Sequence, residues 1–306
     1  MYKVKSPILF LIFNRPKETN IVFNSIKIAK PNKLYISADG PRNNGIDEIL
    51  CIETKRILNQ IDWECEVKTL FRDENLGCGL AVSSAISWFF ENEEEGIILE
   101  DDCNPNNDFF RFCDEMLDLY RNETKIGHIC GCNFQDNIIR DDGDYYFSRL
   151  THVWGWASWK RVWKEYNYDM NQLDNQIELD FLNPLTKNKH FKNFLYFTLK
   201  QTQLGKINTW DYQYFFTNRI KNFLSIIPNY NLISNIGFNE FGTHTSNPNS
   251  LQANIALSEL PVKINRPTKT SHNYIADNYT LKKEIPSRFN YYKMIFKLKL
   301  KSIINK

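Results

Sequence analysis

The chain has 306 residues, of which 42% are hydrophobic and 24% are charged, and its formal net charge is +2. A chain of this length can bury one substantial core, so we expect one domain, or one domain with an appendage. The small net charge argues against a dedicated nucleic-acid-binding protein, which would carry a strong basic stripe. We therefore expect no nucleic acid partner.

The N-terminal region contains an apolar run at residues 8–13 that is far too short to span a bilayer. No small-residue cleavage site follows it, so we interpret the run as a buried strand rather than a signal peptide. The seven cysteines are odd in number and lack the paired C-x-x-C units of a structural zinc site. Reduced thiols of this kind are typical of a cytoplasmic protein.

The first hundred residues alternate strand and helix patterns. Strands are predicted at 8–13, 34–38, 67–71 and 97–99, and helices at 18–30, 46–61 and 80–90. This βαβαβαβ order predicts an α/β fold with a doubly wound, mainly parallel sheet. In such sheets, ligands bind beyond the carboxyl ends of the strands.

The pattern changes after residue 108. Helices are predicted at 109–120, at 191–204 and from 210, strands at 126–132 and 145–149, and extended structure at 225–234. We expect a main domain over residues 1–245 and a loosely structured C-terminal extension over 246–306. The last stretch, RFNYYKMIFKLKLKSIINK, mixes aromatic residues and lysines. This composition favours either peripheral contact with an anionic membrane surface or a solvated terminal helix.

Polar residues directly follow three of the predicted strands, as Asn14-Arg15, Asp39-Gly40 and Glu100-Asp101-Asp102. The carboxyl ends of parallel strands meet at one edge of the sheet, so we expect these groups to gather there. Three adjacent carboxylates repel one another, and the apolar strand before them makes their desolvation costly. A divalent cation relieves both problems, since carboxylates are usual ligands for Mg²⁺ or Mn²⁺ bound to a diphosphate. The alternative is a solvated acidic turn.

Six segments in order resemble the GT-A glycosyltransferases, and more closely the N-acetylglucosaminyltransferase I type: ILFLIFNRP, LYISADG, NLGCGLAVSSAISWFF, GIILEDDCNPNNDFF, WGWASWKRVW and TWDYQYF. The chain is also similar to bacterial sugar transferases of surface-polysaccharide pathways, which share ILEDD and the Trp-Gly-Trp segment. The resemblance extends from about residue 8 to residue 245. It implies a nucleotide-sugar donor, a UDP-sugar. Our hypothesis is an inverting transfer from this donor to a hydroxyl of a glycan or lipid-linked acceptor, with Mn²⁺ or Mg²⁺ as cofactor. The basic aromatic tail is the feature that suggests a lipid-linked acceptor.

The resemblance also implies roles for the strand-end residues, position by position. Arg15 would contact the nucleotide, and Asp39 would contact the uracil ring. Glu100 and Asp101 would lie beside the sugar and the ribose, and Asp102 would ligate the metal. Two of these positions have simpler explanations, since Arg15 suits a surface ion pair and Asp39 suits a tight turn.

Two further residues complete the candidate site, Asp211 from the resemblance and His244 from its place between Thr243 and Thr245 after a glycine. Asp211 would be the catalytic base, although the family has a second carboxylate after it and this chain has Tyr212. Capping of the helix that begins there is compatible with the same role. His244 would approach the metal or the diphosphate late in the fold.

Aromatic and glycine-rich segments add candidates for ligand binding. We assign Trp154, Trp156 and Trp210 to the sugar or the acceptor, because flat aromatic faces suit the C–H faces of sugars. Trp154-Gly155-Trp156 would form a loop wall around the ligand. The segment NLGCG favours either amides that approach an anion or a helix-initiating turn.

Two other classes of protein remain open at this point. A sugar nucleotidyltransferase would need a glycine-rich, basic loop after the first strand, and the chain has FNRP there instead. A non-catalytic carbohydrate-binding protein of the same fold would not need Asp102 or Asp211.

Overall fold

The computed structural model describes residues 1–175, 177–238 and 253–304. Its strands are β1 (Ile8–Ile12), β2 (Lys33–Ala38), β3 (Glu66–Phe71), β4 (Glu95–Glu100), β5 (Cys103–Pro105), β6 (Ile126–Cys130), β7 (Tyr145–Ser148), β8 (Trp156–Trp159), β9 (Leu224–Pro228) and β10 (Ile233–Asn235). Its helices are α1 (Pro16–Ala29), α2 (Ile46–Lys55), α3 (Gly77–Asn92), α4 (Asn107–Tyr120), α5 (Lys160–Trp163), α6 (Lys189–Gln203), α7 (Asp211–Ile220), α8 (Tyr274–Glu284) and α9 (Arg288–Ile304). None of these helices combines the length and apolar composition that crossing a bilayer requires.

Eight strands form one sheet in the order β3-β2-β1-β4-β8-β6-β9-β7. The four strands from β3 to β4 are parallel. Strand β8 runs antiparallel to β4 and β6, and β7 runs antiparallel to β9. A separate pair, β5 and β10, is antiparallel. This topology confirms the predicted α/β class, a doubly wound GT-A (Rossmann-like) sheet whose second half contains the antiparallel pairings.

The sequence explains why the first strand lies at the centre. All five residues of β1 are apolar and buried, as expected for a parallel strand covered by helices on both faces. Helix α1 follows at once because Pro16, at its first position, has a backbone angle already suited to a helix. Its inward face comprises Thr19, Val22, Phe23, Ile26 and Ala29.

The order of the parallel strands reverses between β1 and β4. The chain proceeds from β1 to β2 and β3 on one side, and β4 then returns to the other side of β1. Helices on either side of such a reversal diverge, so a crevice opens beyond the carboxyl ends of the two strands. The fold therefore places Arg15, which follows β1, beside the acidic residues at the end of β4.

The Trp-rich segment differs from the prediction. We expected Trp156 in a loop wall, but it lies in β8, opposite Ile98 of β4 and Cys130 of β6. A strand between two neighbours in the middle of a sheet is covered on both faces, and Trp156 is 0% exposed. The prediction of a ligand-facing loop is therefore wrong for Trp156.

The C-terminal part is more regular than the sequence led us to expect. Helix α8 packs through Ala276 and Leu281, which are at most 1% exposed. Asp277 accepts hydrogen bonds from the Ser148 hydroxyl and the Arg149 backbone N–H at the end of β7. Burial raises the pKa of Asp277 to about 6, which is consistent with its place inside the protein. The sequence did not predict this helix, because few of its residues face the core and its composition is therefore polar.

One carboxylate of α4 accepts several of the hydrogen bonds that hold the N-terminal segment in place. Asp114 of α4 is 7% exposed. It accepts hydrogen bonds from the Tyr2 hydroxyl at 2.8 Å, from the Lys5 backbone N–H at 2.8 Å and from the Ser6 backbone N–H at 3.0 Å. These bonds fix the chain just before β1 enters the sheet.

We predict that Asp114→Ala lowers the free energy of unfolding by about 2–3 kcal/mol, because two backbone donors lose a charged acceptor. The matched control is Asp118→Ala on the same helix, whose side chain is 77% exposed and pairs with Arg121. This control should change stability by less than about 0.5 kcal/mol. Urea unfolding of both variants measures the difference, and equal stabilities would contradict the anchoring role.

Candidate active site

A cavity of about 570 Å³ opens beyond the carboxyl ends of β1, β2 and β4. This volume is within the usual range for small-molecule sites, about 300–1,000 Å³. Its wall includes eight of the sequence-predicted residues: Arg15, Asp39, Glu100, Asp101, Asp102, Trp154, Trp210 and Asp211. The expected convergence of distant polar groups at one sheet edge is therefore present.

An ion pair lies at the centre of the cavity wall. The Arg15 guanidinium is 2.6 Å from an Asp102 carboxylate oxygen and 3.5 Å from one of Asp101. Asp101 also accepts a hydrogen bond from the Phe13 backbone N–H at 3.2 Å. Asp101 is 7% exposed and Asp102 is 9% exposed, so Arg15 compensates carboxylates that are largely removed from water.

Glu100 differs electrostatically from its two neighbours. Burial raises the pKa of Glu100 well above its ordinary value, and Asp102, Asp101 and Asp211 raise it further. Burial also raises the pKa of Asp101, although Arg15 acts in the opposite direction. Arg15 itself has a raised pKa, because the carboxylates outweigh its burial. The positive charge of Arg15 therefore interacts with Glu100, Asp101 and Asp102 together.

The donor set suits a metal ion that arrives with a diphosphate. Within the described ranges, no three His, Cys, Asp or Glu side chains form a group that could hold a metal ion alone. Magnesium in nucleotide sites is usually bound by one or two carboxylates, by phosphate oxygens and by water, so Asp102 and Asp101 are of the right type and number. The Arg15 contact with Asp102 would have to be shared or exchanged when such an ion binds.

Asp39 is engaged by the protein itself. Its two carboxylate oxygens accept hydrogen bonds from the backbone N–H groups of Gly40, Leu76 and Gly77 at 3.0 Å each. The Asn75 side-chain amide donates a fourth bond at 3.0 Å. A carboxylate offers about four lone-pair sites, so little capacity is left for a uracil ring. The structure places Asp39 as the residue that positions the 75–77 turn against the cavity.

The glycine-rich turn is likewise occupied by protein groups. The Gly79 N–H donates to the Asn208 side-chain oxygen at 2.9 Å. A Cβ at Gly77 would approach the Asn208 side-chain nitrogen to 2.6 Å, and one at Gly79 would approach the Tyr168 hydroxyl to 2.5 Å. These glycines therefore allow close packing at the start of α3, which favours the helix-initiating interpretation over an anion-binding loop.

Asp211 is the first residue of α7 and faces the cavity. One of its oxygens, Oδ1, accepts hydrogen bonds from the Thr209 hydroxyl and the Tyr212 backbone N–H. No hydrogen bond from a described residue reaches its other oxygen, Oδ2. The side chain is thus oriented through one oxygen while the second is left for a ligand.

The tryptophans divide between the cavity and the core. Trp154 lines the cavity and contacts the Phe238 ring at 5.6 Å. Trp156 does not line it and stacks on Trp210 with ring centroids 5.6 Å apart. Trp210 reaches the cavity edge but is only 2% exposed. Trp163 is buried in the same aromatic cluster, with its ring centroid 6.2 Å from that of Trp210.

The sequence reasoning missed several cavity residues, among them Arg42, Asn208 and Asn235. Asn208 and Asn235 both line the cavity, and only the nearness of Asn208 to Trp210-Asp211 could have drawn attention to it. Asn235 reaches the cavity through the pairing of β10 with β5 next to Asp102, which no local pattern reveals. His244 lies outside the described residues, so its metal role stays a prediction.

No family model and no curated protein matches the sequence. Similar solved structures include HddC from Yersinia pseudotuberculosis, with TM-score 0.32 and 12% identity over 56% of this chain and 87% of that one. The TarS 1-349 structure from S. aureus has TM-score 0.41 and 10% identity over 73% of this chain and 58% of that one. An inositol-1-phosphate CTP transferase from T. maritima has TM-score 0.38 and 9% identity over 74% of this chain and 86% of that one. Similarity at this level carries no functional argument.

We predict that Asp39→Asn lowers the free energy of unfolding by about 1–3 kcal/mol, because an amide NH₂ would face backbone N–H groups. Hydrogen exchange at the Leu76 and Gly77 amides should accelerate in the same variant. The control is Asp73→Asn, an exposed residue of the same loop. If Asp39 served only to bind the nucleotide base, exchange at both amides would stay at the wild-type rate.

Proposed function

We propose that the protein is an inverting glycosyltransferase. It moves a sugar from a nucleoside diphosphate donor, a UDP-sugar, to a hydroxyl of a glycan or lipid-linked acceptor in surface-polysaccharide synthesis. The observation that carries the proposal is the cavity at the β1/β4 reversal. It gathers a cation from the end of β1, carboxylates from the end of β4 and an oriented carboxylate from the start of α7.

The donor half of the proposed site is the parallel half of the sheet. Arg15 can bind phosphate oxygens through its planar guanidinium. Asp102, with Asp101, would hold Mn²⁺ or Mg²⁺ beside the donor diphosphate. When bound, such an ion neutralises negative charge that builds up on the departing diphosphate.

The acceptor half depends on Asp211. Its Oδ2 takes the proton of the acceptor hydroxyl while that oxygen attacks the anomeric carbon on the face opposite the nucleotide. The bond from the anomeric carbon to the diphosphate oxygen breaks, and its electron pair leaves with the diphosphate. One base is sufficient, because a single displacement with inversion needs no covalent intermediate.

A sugar nucleotidyltransferase is the second candidate, which the sequence left open. Such an enzyme needs donors for the triphosphate close to the first strand. In the structure α1 begins at Pro16, directly after Arg15, so no glycine-rich, basic loop follows β1 among the described residues. This arrangement favours sugar transfer.

The test of the proposed class is a panel of nucleotide-sugars and nucleoside triphosphates with Mn²⁺ present. We expect binding and slow release of nucleoside diphosphate with UDP-sugars, measured by calorimetry and by product detection. Pyrophosphate release from a triphosphate and a sugar phosphate would instead identify a nucleotidyltransferase. Binding of free glycan with no turnover of any donor would indicate a non-catalytic carbohydrate-binding protein.

We predict that Asp211→Asn lowers kcat by about 10²–10⁴-fold, because the amide cannot accept the proton. Donor binding should be unchanged, since the donor side of the site does not include Asp211. The control is Asp174→Asn, an exposed residue that pairs with Lys200 outside the cavity. Retained turnover in Asp211→Asn would remove this residue from the base role.

The ion pair between Arg15 and Asp102 makes metal binding depend on the nucleotide. We expect Mn²⁺ to bind weakly to the free protein and about 10–100-fold more tightly with UDP present, by reciprocal coupling. Asp102→Asn should abolish this enhancement, whereas Asp174→Asn should retain it. Isothermal titration with Mn²⁺ measures the effect, and tight binding that is independent of UDP would contradict a site completed by diphosphate.

A further inference from the structure

The terminal helix α9 presents a row of aromatic side chains to solvent. Phe289 is 76% exposed, Tyr292 is 64% exposed and Phe296 is 62% exposed. Their spacing of three and four residues places them on one face of the helix. Large aromatic side chains rarely remain in water as a contiguous row without a partner, so this face needs an explanation.

The opposite face of the same helix is packed on the protein. Tyr291 is 6% exposed, and its ring contacts His190 at 5.6 Å, Phe194 at 5.7 Å and Phe197 at 5.8 Å. These contacts fix α9 on α6 and thereby set the direction of the aromatic row. The row is therefore a consequence of how the helix docks, and it does not face the core.

The charge of the segment indicates what covers this face. Residues 285–306 contain six Lys or Arg and no Asp or Glu. Arg288 and Lys293, which lie next to the aromatic row along the helix, are exposed. A helix with aromatic residues on one face and basic residues around it is suited to the interface of an anionic bilayer. Aromatic rings enter the headgroup region there, and basic side chains bind lipid phosphates.

We propose that α9 docks the protein on the surface of a bilayer rich in anionic lipids, with Phe289, Tyr292 and Phe296 inserted between the headgroups. The docking is peripheral, since the helix lies along the surface. It does not depend on the proposed sugar transfer, because neither the cavity nor Asp211 contributes to it. A second copy of the chain is the other candidate occupant, but two copies meeting through this face would bring together segments of the same charge.

The experiment is co-sedimentation of the full chain with vesicles of phosphatidylcholine alone or with 40% phosphatidylglycerol. We expect binding to the anionic vesicles, little binding to the neutral ones, and loss of binding as salt concentration rises. Replacing Phe289, Tyr292 and Phe296 together by Ser should reduce binding at least tenfold. Replacing Arg288 and Lys293 together by Gln should reduce it by roughly tenfold or more, since each basic side chain near the surface contributes about fivefold.

The matched control replaces Ile28, Ile49 and Ile52 by Ser, which removes three side chains that are 47%, 68% and 55% exposed on α1 and α2. It should bind vesicles as the wild type does. Thermal unfolding should be similar for all variants, because every substituted side chain is exposed. Equal binding to neutral vesicles, or unchanged binding after the aromatic substitutions, would overturn the proposal. A wild-type dimer that the aromatic substitutions convert to a monomer would show that a second copy covers this face.

Discussion

The structure of the site depends on how a buried strand can end in three carboxylates. Arg15 is close to Asp101 and Asp102, and its one positive charge is shared between them. No described residue forms an ion pair with Glu100, and burial raises the pKa of this carboxyl well above its ordinary value, which favours its neutral form. The positive charge of Arg15 is therefore already engaged by these carboxylates before any ligand binds. A diphosphate that enters this cavity adds negative charge, so binding it requires a further cation, and this is the physical reason to expect a metal together with the donor.

The first half of the fold could be predicted from sequence because its signals are local. Apolar runs that end in polar residues predicted β1, β2 and β4. The connection rules for parallel strands then predicted that Arg15 and Asp102 lie at one edge of the sheet. Which groups a given carboxylate binds could not be predicted in the same way. The Asp39 carboxylate accepts hydrogen bonds from the backbone N–H groups of residues 76 and 77, and no local sequence pattern reveals partners so far along the chain.

The second half of the fold was harder to predict because the same residue types serve different purposes there. Tryptophan suits both a sugar-binding wall and a core, and only the pairing of β8 between β4 and β6 decides that Trp156 is covered on both faces. Helix α8 was not predicted, because its sequence lacks the apolar pattern of a packed helix. Its mean composition is polar, but Asp277 replaces apolar burial with hydrogen bonds to residues 148 and 149.

The residue after the proposed base also has a definite physical character. Burial raises the pKa of the Tyr212 hydroxyl, and Asp211 raises it further, so the phenol stays protonated near neutral pH. A protonated phenol can donate a hydrogen bond but cannot remove a proton from an acceptor hydroxyl. Where the resembling family has a second carboxylate, this chain therefore has a donor. In the proposed mechanism the acceptor's proton would therefore go to Oδ2 of Asp211, because Oδ1 accepts hydrogen bonds from the Thr209 hydroxyl and the Tyr212 backbone N–H.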